Sequence, residues 1–333
     1  MQDFNDSVKI IVISGPTATG KTALAVKIAE KFDGEIISAD SRQVYTGLDI
    51  GSGKDLAEYT MADGYTVPAH LLDIADPVKA AFSLADFLLA AQNTMQEIEQ
   101  RGAVSLVVGG TALWIHALLA EYQLTGGSPD NEKRKELRAL SLPELQETLR
   151  ALDPENPVLT DAPNNRTRII RRIEMIRNGG LPTEKEQNLA NRHREYLLMG
   201  VLRNRSEVRR NIEIRLDERL SQGMLNEAVR LHERGVSWET LEFFGLEYRY
   251  MALHLQGKLS YDEMRSELLN KIRQFAKRQD SWFRKMERDG YPIYWFRPDE
   301  LEQAVTLSET FLAGGELPEP AFRLSDVNWK NEE

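Results

Sequence analysis

The chain has 333 residues, 41% of them apolar and 28% charged, which suits a soluble globular protein of one large or two modest domains. It has no cysteine, so disulfides, thiolate catalysis and cysteine-ligated zinc are excluded. Its net charge of -10 argues against indiscriminate binding to nucleic acid. No apolar run nears the ~20 residues of a membrane span. The opening Met1-Gln2-Asp3-Phe4-Asn5-Asp6 lacks the basic-then-apolar order of a signal peptide, and the cytoplasm is the simplest expected location.

In chain order, residues 8–14 read as a buried strand around Ile10-Ile11-Val12-Ile13. Ser14-Gly15-Pro16-Thr17-Ala18-Thr19-Gly20-Lys21-Thr22 follows, with the form G-x-x-x-x-G-K-[ST]. Residues 22–32 then carry Leu24, Ala25, Ile28, Ala29 and Phe32 at helical spacing. The glycines let successive N–H groups bend toward phosphate oxygens, and the helix start adds its positive dipole end. Lys21 would neutralise phosphate charge and the Thr22 hydroxyl would bind Mg²⁺. An accidental glycine turn is the alternative, and the matching strand and helix argue against it. The motif points to a di- or triphosphate without naming one.

Strands are expected at 35–39, 69–74 and 104–108, and helices at 83–100 and 112–120. This alternation predicts an α/β fold, a parallel sheet wrapped by helices in the manner of P-loop NTPases. Ligands in such sheets lie beyond the carboxyl ends of the strands, so residues 14–22, 40–45 and 109–111 should face one cleft. In the second of these segments Asp40 suits a Mg²⁺ ligand or a general base, and on spacing alone a helix N-cap fits about as well as the base. Ser41, Arg42 and Gln43 suit the edge of a nucleobase, or for Arg42 a surface ion pair. Thr111, after Gly109-Gly110, suits a donor to substrate or a cap. His70 and Asp73 read as satisfied core polar groups, and Trp114 and His116 as packing.

From about residue 122 the strand pattern stops. Gly126-Gly127-Ser128-Pro129 reads as a linker, and 142–152, 165–177 and 183–194 read as helices. A strand at 196–202, helices at 206–233 and 261–289, and a last strand at 291–296 follow. The expected organisation is a catalytic core of 1–121 with 195–313, a helical insertion at 122–194 and a loose tail at 314–333. Three basic clusters stand outside the glycine-rich segment, around Arg166–Arg177, residues 203–219 and residues 273–288. Each alone fits a solvated helix face; the three together admit a polyanionic partner.

Several of these segments together resemble the tRNA dimethylallyltransferases, also called tRNA isopentenyltransferases. They are the loop Gly15 to Thr22, Ser38-Ala39-Asp40-Ser41-Arg42-Gln43-Val44-Tyr45, Gly47-Leu48-Asp49-Ile50-Gly51, and His70-Leu71-Leu72-Asp73-Ile74. Val107-Val108-Gly109-Gly110-Thr111-Ala112-Leu113-Trp114 is similar to the family's glycine–glycine–threonine segment. Asn165-Arg166-Thr167-Arg168-Ile169-Ile170-Arg171 resembles its arginine helix beside tRNA, and Phe275-Ala276-Lys277-Arg278-Gln279 its late basic helix. The likeness is collinear from about Ile10 to Arg288.

The resemblance implies transfer of a dimethylallyl group from dimethylallyl diphosphate to N6 of the adenosine 3′ to the anticodon in tRNA, with release of diphosphate. It places Thr17, Lys21, Asp40 and Thr111 at the reacting centre, with Asp40 as base. It places the diphosphate on Gly15, Pro16, Thr17, Ala18, Thr19, Gly20, Lys21 and Thr22, with Arg215 as a clamp and Mg²⁺ at Thr22. It places tRNA, through its anticodon arm, on Asp40, Ser41, Arg42, Gln43, Thr167, Arg168, Ile169, Ile170, Arg171, Lys277 and Arg278. A monomer is the default expectation. A free adenine nucleotide as acceptor, or a P-loop small-molecule kinase, are the competing enzyme readings.

The chain also departs from that pattern. Glu242-Phe243-Phe244-Gly245-Leu246-Glu247-Tyr248 stands where the family has glutamine-alanine-isoleucine-glycine-tyrosine-lysine, and only the glycine is kept. Asn211 stands at a usual arginine. The loop and Asp40 are intact, so the chemistry is expected to survive even where acceptor contacts change.

Overall fold

The computed structural model describes residues 7–61, 64–79, 81–121, 131–177 and 194–327. In order the elements are β1 (Val8–Ser14), α1 (Lys21–Phe32), β2 (Gly34–Ser38), a 3-10 turn (Leu56–Tyr59), β3 (Ala69–His70), α2 (Leu84–Gln100), β4 (Val104–Gly109), α3 (Ala112–Leu119), α4 (Asn131–Ala139), α5 (Leu142–Leu152), α6 (Val158–Asp161) and α7 (Arg166–Arg177). They continue as β5 (Arg194–Val201), α8 (Arg205–Ser221), α9 (Met224–Glu233), α10 (Trp238–Phe243), α11 (Leu246–Leu255), α12 (Tyr261–Arg288), β6 (Tyr294–Phe296) and α13 (Leu301–Leu312). Among the described residues no helix is long and apolar enough to cross a membrane.

The strands form one six-stranded sheet in the order β3-β2-β4-β1-β5-β6. Every neighbouring pair runs parallel. Parallel sheets are covered on both faces, which is why β1 is a continuous apolar run rather than an alternating one. Ile10, Ile11, Val12 and Ile13 have no exposed surface. Leu24, Ala25, Ile28 and Ala29 of α1 join Ala304, Val305, Leu307 and Phe311 of α13 in the same core. Register places Ser14 level with Gly109 on β4 and Gly200 on β5, while Ser38 is level with Val108. The segments after β1, β2 and β4 therefore leave the sheet along one edge.

Contacts divide the chain into two compact units, Met1–Leu119 with Arg192–Glu333, and Ala120–Asn191. The first holds the sheet. The second packs α4, α5 and α7 on its own small core of Leu137, Leu145, Leu149, Ile169, Ile170 and Ile173.

Four expectations need correction. The strand at 69–74 stops at His70, because Leu71 and Asp73 take left-handed backbone with φ of 61° and 55°. The helix expected at 206–233 is two helices, broken at Gly223 with φ of 97°. The last strand begins at Tyr294, not at 291. Residues 315–327 are not a loose tail: Leu324 is fully buried and its N–H donates to the Glu287 carboxylate at 2.9 Å, and Tyr294 Oη donates to the Pro318 carbonyl. The 3-10 turn and helices α4, α6, α10, α11 and α13 are additions that the sequence pattern left unassigned. The linker at 126–129 and residues 183–193 of the expected helix lie outside the described residues, while Arg194, expected as that helix's last residue, opens β5.

Candidate functional site

The loop after β1 is built by close approach. Gly15 has φ of 146°, and a Cβ there would lie 2.7 Å from the Val201 carbonyl oxygen. Gly20 starts α1 with φ of 99°. Polar groups then fix the loop through its carbonyls. Lys21 Nζ donates to Pro16 O at 2.7 Å and Thr19 Oγ1 to the same oxygen at 2.9 Å. Arg203 Nε donates to Thr19 O and Asn211 Nδ2 to Ala18 O. Thr22 lies half-buried in the first turn of α1. Burial, then the nearby Arg215, push the Lys21 ammonium down to about 8; Asp40 and Glu58 oppose that shift.

The loops after β2 and β4 are tied together. Ala39 N–H donates to Val108 O, Thr111 N–H to Ala39 O, and Ser41 N–H to Thr111 Oγ1 at 3.1 Å. A Cβ on Gly109 would collide with the Ala39 carbonyl, so glycine is required there. Thr111 thus receives a bond from the loop of Asp40. Asp40 Oδ1 accepts the Arg42 N–H at 2.9 Å, which orients the carboxylate and engages one of its two oxygens. That carboxylate is near enough to Lys21, Arg42 and Glu247 to act on each electrostatically. Gln43, expected on tRNA, is engaged at both ends: Oε1 accepts from Ser38 Oγ and Nε2 donates to Gly53 O. It frames the loop.

A narrow cavity of about 30 Å³ opens beside Thr17 and Ala18. Ile212, Leu216, Met224 and Ile272 supply apolar walls, and Arg215, Arg219 and Glu247 supply charge. Asp55 Oδ2 holds both arginines, Arg215 at 3.2 Å and Arg219 at 3.7 Å. Burial, followed by Asp40, raises Glu247 above the usual carboxylate range, against the pull of Arg219 and Arg42.

Gln279 is the residue that sequence reasoning left without a role. It is 5% exposed on α12. Its Oε1 accepts the Thr17 N–H at 3.0 Å, and its Nε2 donates to Gly110 O at 2.9 Å. One amide therefore links the phosphate loop to the segment after β4. The signal was present: Ile272, Ala276, Gln279 and Phe283 fall on one buried helical stripe, and a polar residue on such a stripe has a partner. Lys277 and Arg278 lie on the exposed side of the same helix, with the Arg278 guanidinium 6.0 Å from the Phe275 ring centre.

In the second unit, α7 divides its residues. Thr167 and Arg168 are exposed. Ile169 and Ile170, expected on tRNA, are instead buried in the unit's core, because they fall on the helix face turned to α5. Glu174, nearly buried, takes a bidentate pair from Arg134 at 2.6 Å, with Arg171 at 3.6 Å. An open depression of about 500 Å³ runs along Ala162 to Arg166. Of the remaining sequence candidates, His70 pairs with Glu35, Asp73 with the buried Lys54, and Trp114 stacks on Phe87 at 4.4 Å.

A family model described as IPP transferase matches residues 43–286, and one described as isopentenyl transferase matches residues 8–62. A protein of Syntrophus aciditrophicus called tRNA dimethylallyltransferase 1 is 44% identical over 293 residues, 88% of this chain and 95% of that one. One of the same name from Geotalea uraniireducens is 41% identical over 88% of this chain and 94% of its own. The solved full-length tRNA isopentenylpyrophosphate transferase of Bacillus halodurans superposes with a TM-score of 0.65 at 31% identity, covering 92% of this chain and 97% of that one. A eukaryotic dimethylallyltransferase acting on tRNA shares the fold, with a TM-score of 0.75 at 23% identity over 94% of this chain and 81% of its own.

Proposed function

The chain belongs to the IPP transferase family, and from that premise we propose that it transfers the dimethylallyl group of dimethylallyl diphosphate to N6 of the adenosine 3′ to the anticodon in tRNA. The observation that carries this reading is a phosphate-type loop bordered by a cavity lined by apolar side chains together with two arginines. A diphosphate with a hydrocarbon tail needs both. A nucleotide kinase needs no apolar cavity beside its phosphates.

In the reaction N6 attacks the first carbon of the allyl group, the carbon–oxygen bond breaks, and diphosphate leaves with the electron pair. The N6 proton goes to a carboxylate. An exocyclic adenine amine is a poor nucleophile because its lone pair is delocalised, so a base acting as the bond forms helps most in the transition state. Asp40 is the carboxylate at the shared edge, and Arg42 N–H fixes its orientation. The leaving charge falls on backbone N–H groups of residues 18–22, on Lys21 and on Arg215, donors placed where charge develops. Arg215 also pairs with Asp55 at 3.2 Å, and its remaining N–H donors suit the leaving group. A cavity of about 30 Å³ must widen to admit a five-carbon tail. Thr111 and Gln279 hold the loops in register.

Among the described residues no three His, Asp or Glu side chains gather as a metal cage. That suits Mg²⁺ in a phosphate site, where substrate oxygens and water complete the shell. Thr22 is the side chain that would hold it, and the bound ion would supply charge neutralisation to the leaving group. We assign Thr167, Arg168, Lys277 and Arg278, all exposed, to the tRNA surface, with Ser41 and Arg42 at the base. The reading includes the anticodon arm as the part of tRNA contacted, a monomer, and the cytoplasm as the place of action.

The test is incubation with dimethylallyl diphosphate and Mg²⁺, offering either unmodified tRNA or AMP. Prenylated tRNA is the expected product. Product on AMP alone would move the chain to the free-nucleotide reading.

A further inference from the structure

Residues 242–248 depart most from the family pattern, and the reaction above uses little of them. Two acids there are ill-suited to RNA by sequence, but the fold engages both. Glu242 faces Lys258 at 3.9 Å and Gln256 at 3.3 Å. Glu247 lines the cavity with Arg219. What the segment presents outward is Phe243, the last residue of α10, 58% exposed.

Phe243 is fixed relative to Asp40. Its neighbour Phe244 is buried and packs on Tyr45, with ring centres 4.6 Å apart. Arg42 lies over the Phe243 ring with its guanidinium carbon 5.7 Å from the centre, and the Arg42 side chain also passes against Gly245. Two residues of the loop that begins at Asp40 are thus held by 243 and 244. An exposed aromatic alone needs no explanation. This one stands beside a cation, two residues from the base of the reaction. Single-stranded nucleic acid is bound by such surfaces, with bases stacked on aromatic rings and guanidinium planes.

The acceptor base must leave its stack to reach the half-buried Asp40 carboxylate. Its departure bares a face of the neighbouring base as well. We propose that the exposed ring of Phe243 receives that neighbouring base, stacking on it while the acceptor adenine enters beside Asp40. The proposal rests on the prenyl-transfer reading and makes Phe243 a substrate-positioning contact.

The experiment uses the full chain and an anticodon stem-loop RNA carrying 2-aminopurine next to the acceptor adenosine. Wild-type transfer to the unlabelled RNA is measured first; if there is none, the functional reading fails and takes the proposal with it. Given transfer, Phe243→Ala should raise KM for RNA about tenfold, the loss of one base stack, with kcat and KM for the diphosphate near wild type. The salt dependence of RNA binding should keep its slope, since no phosphate contact is lost. Phe243→Trp should restore affinity and 2-aminopurine quenching; Phe243→Leu, of similar bulk but without a π face, should restore neither. Melting temperatures should agree among the variants, because the ring is exposed. Rescue by leucine as well as by tryptophan, or an unchanged KM in the alanine variant, would overturn the proposal and leave the functional reading standing.

Discussion

The sheet edge and the arginine helix use charge in opposite ways. At the edge, Lys21, Arg203, Arg215 and Arg219 surround one loop and one cavity, and burial makes Lys21 easier to discharge. In α7 most of the basic residues serve the unit itself. Arg171 lies 3.6 Å from Glu174, Arg166 donates to the carbonyls of Arg138 and Leu140, and Arg172 lies 3.7 Å from Asp153. Only part of that cluster faces outward. A basic run in sequence is thus a mixture of struts and exposed cations, and geometry separates them.

The sharpest way to break this contrast is at the edge. Asp40→Ala should lower turnover by about two to four orders of magnitude, as loss of a general base does, while diphosphate affinity holds. Near-normal turnover in steady-state assays would remove Asp40 from that role. Next comes a strut. Arg134→Ala leaves the nearly buried Glu174 with Arg171 as its one remaining cation among the described residues, and should cost roughly 3 kcal/mol of stability in denaturant melts. No loss would mean that the pair is ornamental.

Lys21 sharpens the picture through pH. In the ligand-free protein its pKa is pushed down to about 8. A bound diphosphate favours the charged form and raises that value, so binding takes up a proton in the window above about pH 8. Affinity should then fall as pH rises there, by up to about tenfold per unit. Calorimetry in buffers of different ionisation heat reads the proton directly. Lys21→Arg, which does not titrate, should abolish the uptake; an unchanged uptake would detach Lys21 from the phosphates. The smallest effect belongs to Arg168→Ala. It should weaken tRNA binding severalfold, reduce the salt slope by about one and leave stability unchanged. Equal affinity at every salt concentration would return Arg168 to the solvated surface.

The phosphate loop and the sheet were legible because their signals are local: glycine where the backbone must bend, and apolar runs where strands are covered on both faces. Asp40 was placed at the edge by the same logic, though its alternative as a cap was not empty, since it does cap a turn at Arg42. What stayed hidden depends on tertiary contact. The early end of β3 comes from left-handed Leu71 and Asp73, residues that carry no glycine to announce it. Helix α13 has Ala304, Val305 and Phe311 at good spacing, but Glu300 supplies no side-chain cap to mark its start. Ile169 and Ile170 look like part of a tRNA-facing run until α5 is packed against them. Gln279 acquires meaning only when Thr17 and Gly110 are brought to either end of its amide.

The measurement closest to the central claim counts diphosphate released against prenyl groups gained when dimethylallyl diphosphate and unmodified tRNA are supplied together, with nuclease digestion and mass spectrometry locating the product. The account expects one group per diphosphate, on N6 of the adenosine 3′ to the anticodon, and neither with Asp40→Ala. Phosphate released from ATP with no prenyl group on any adenine would contradict it.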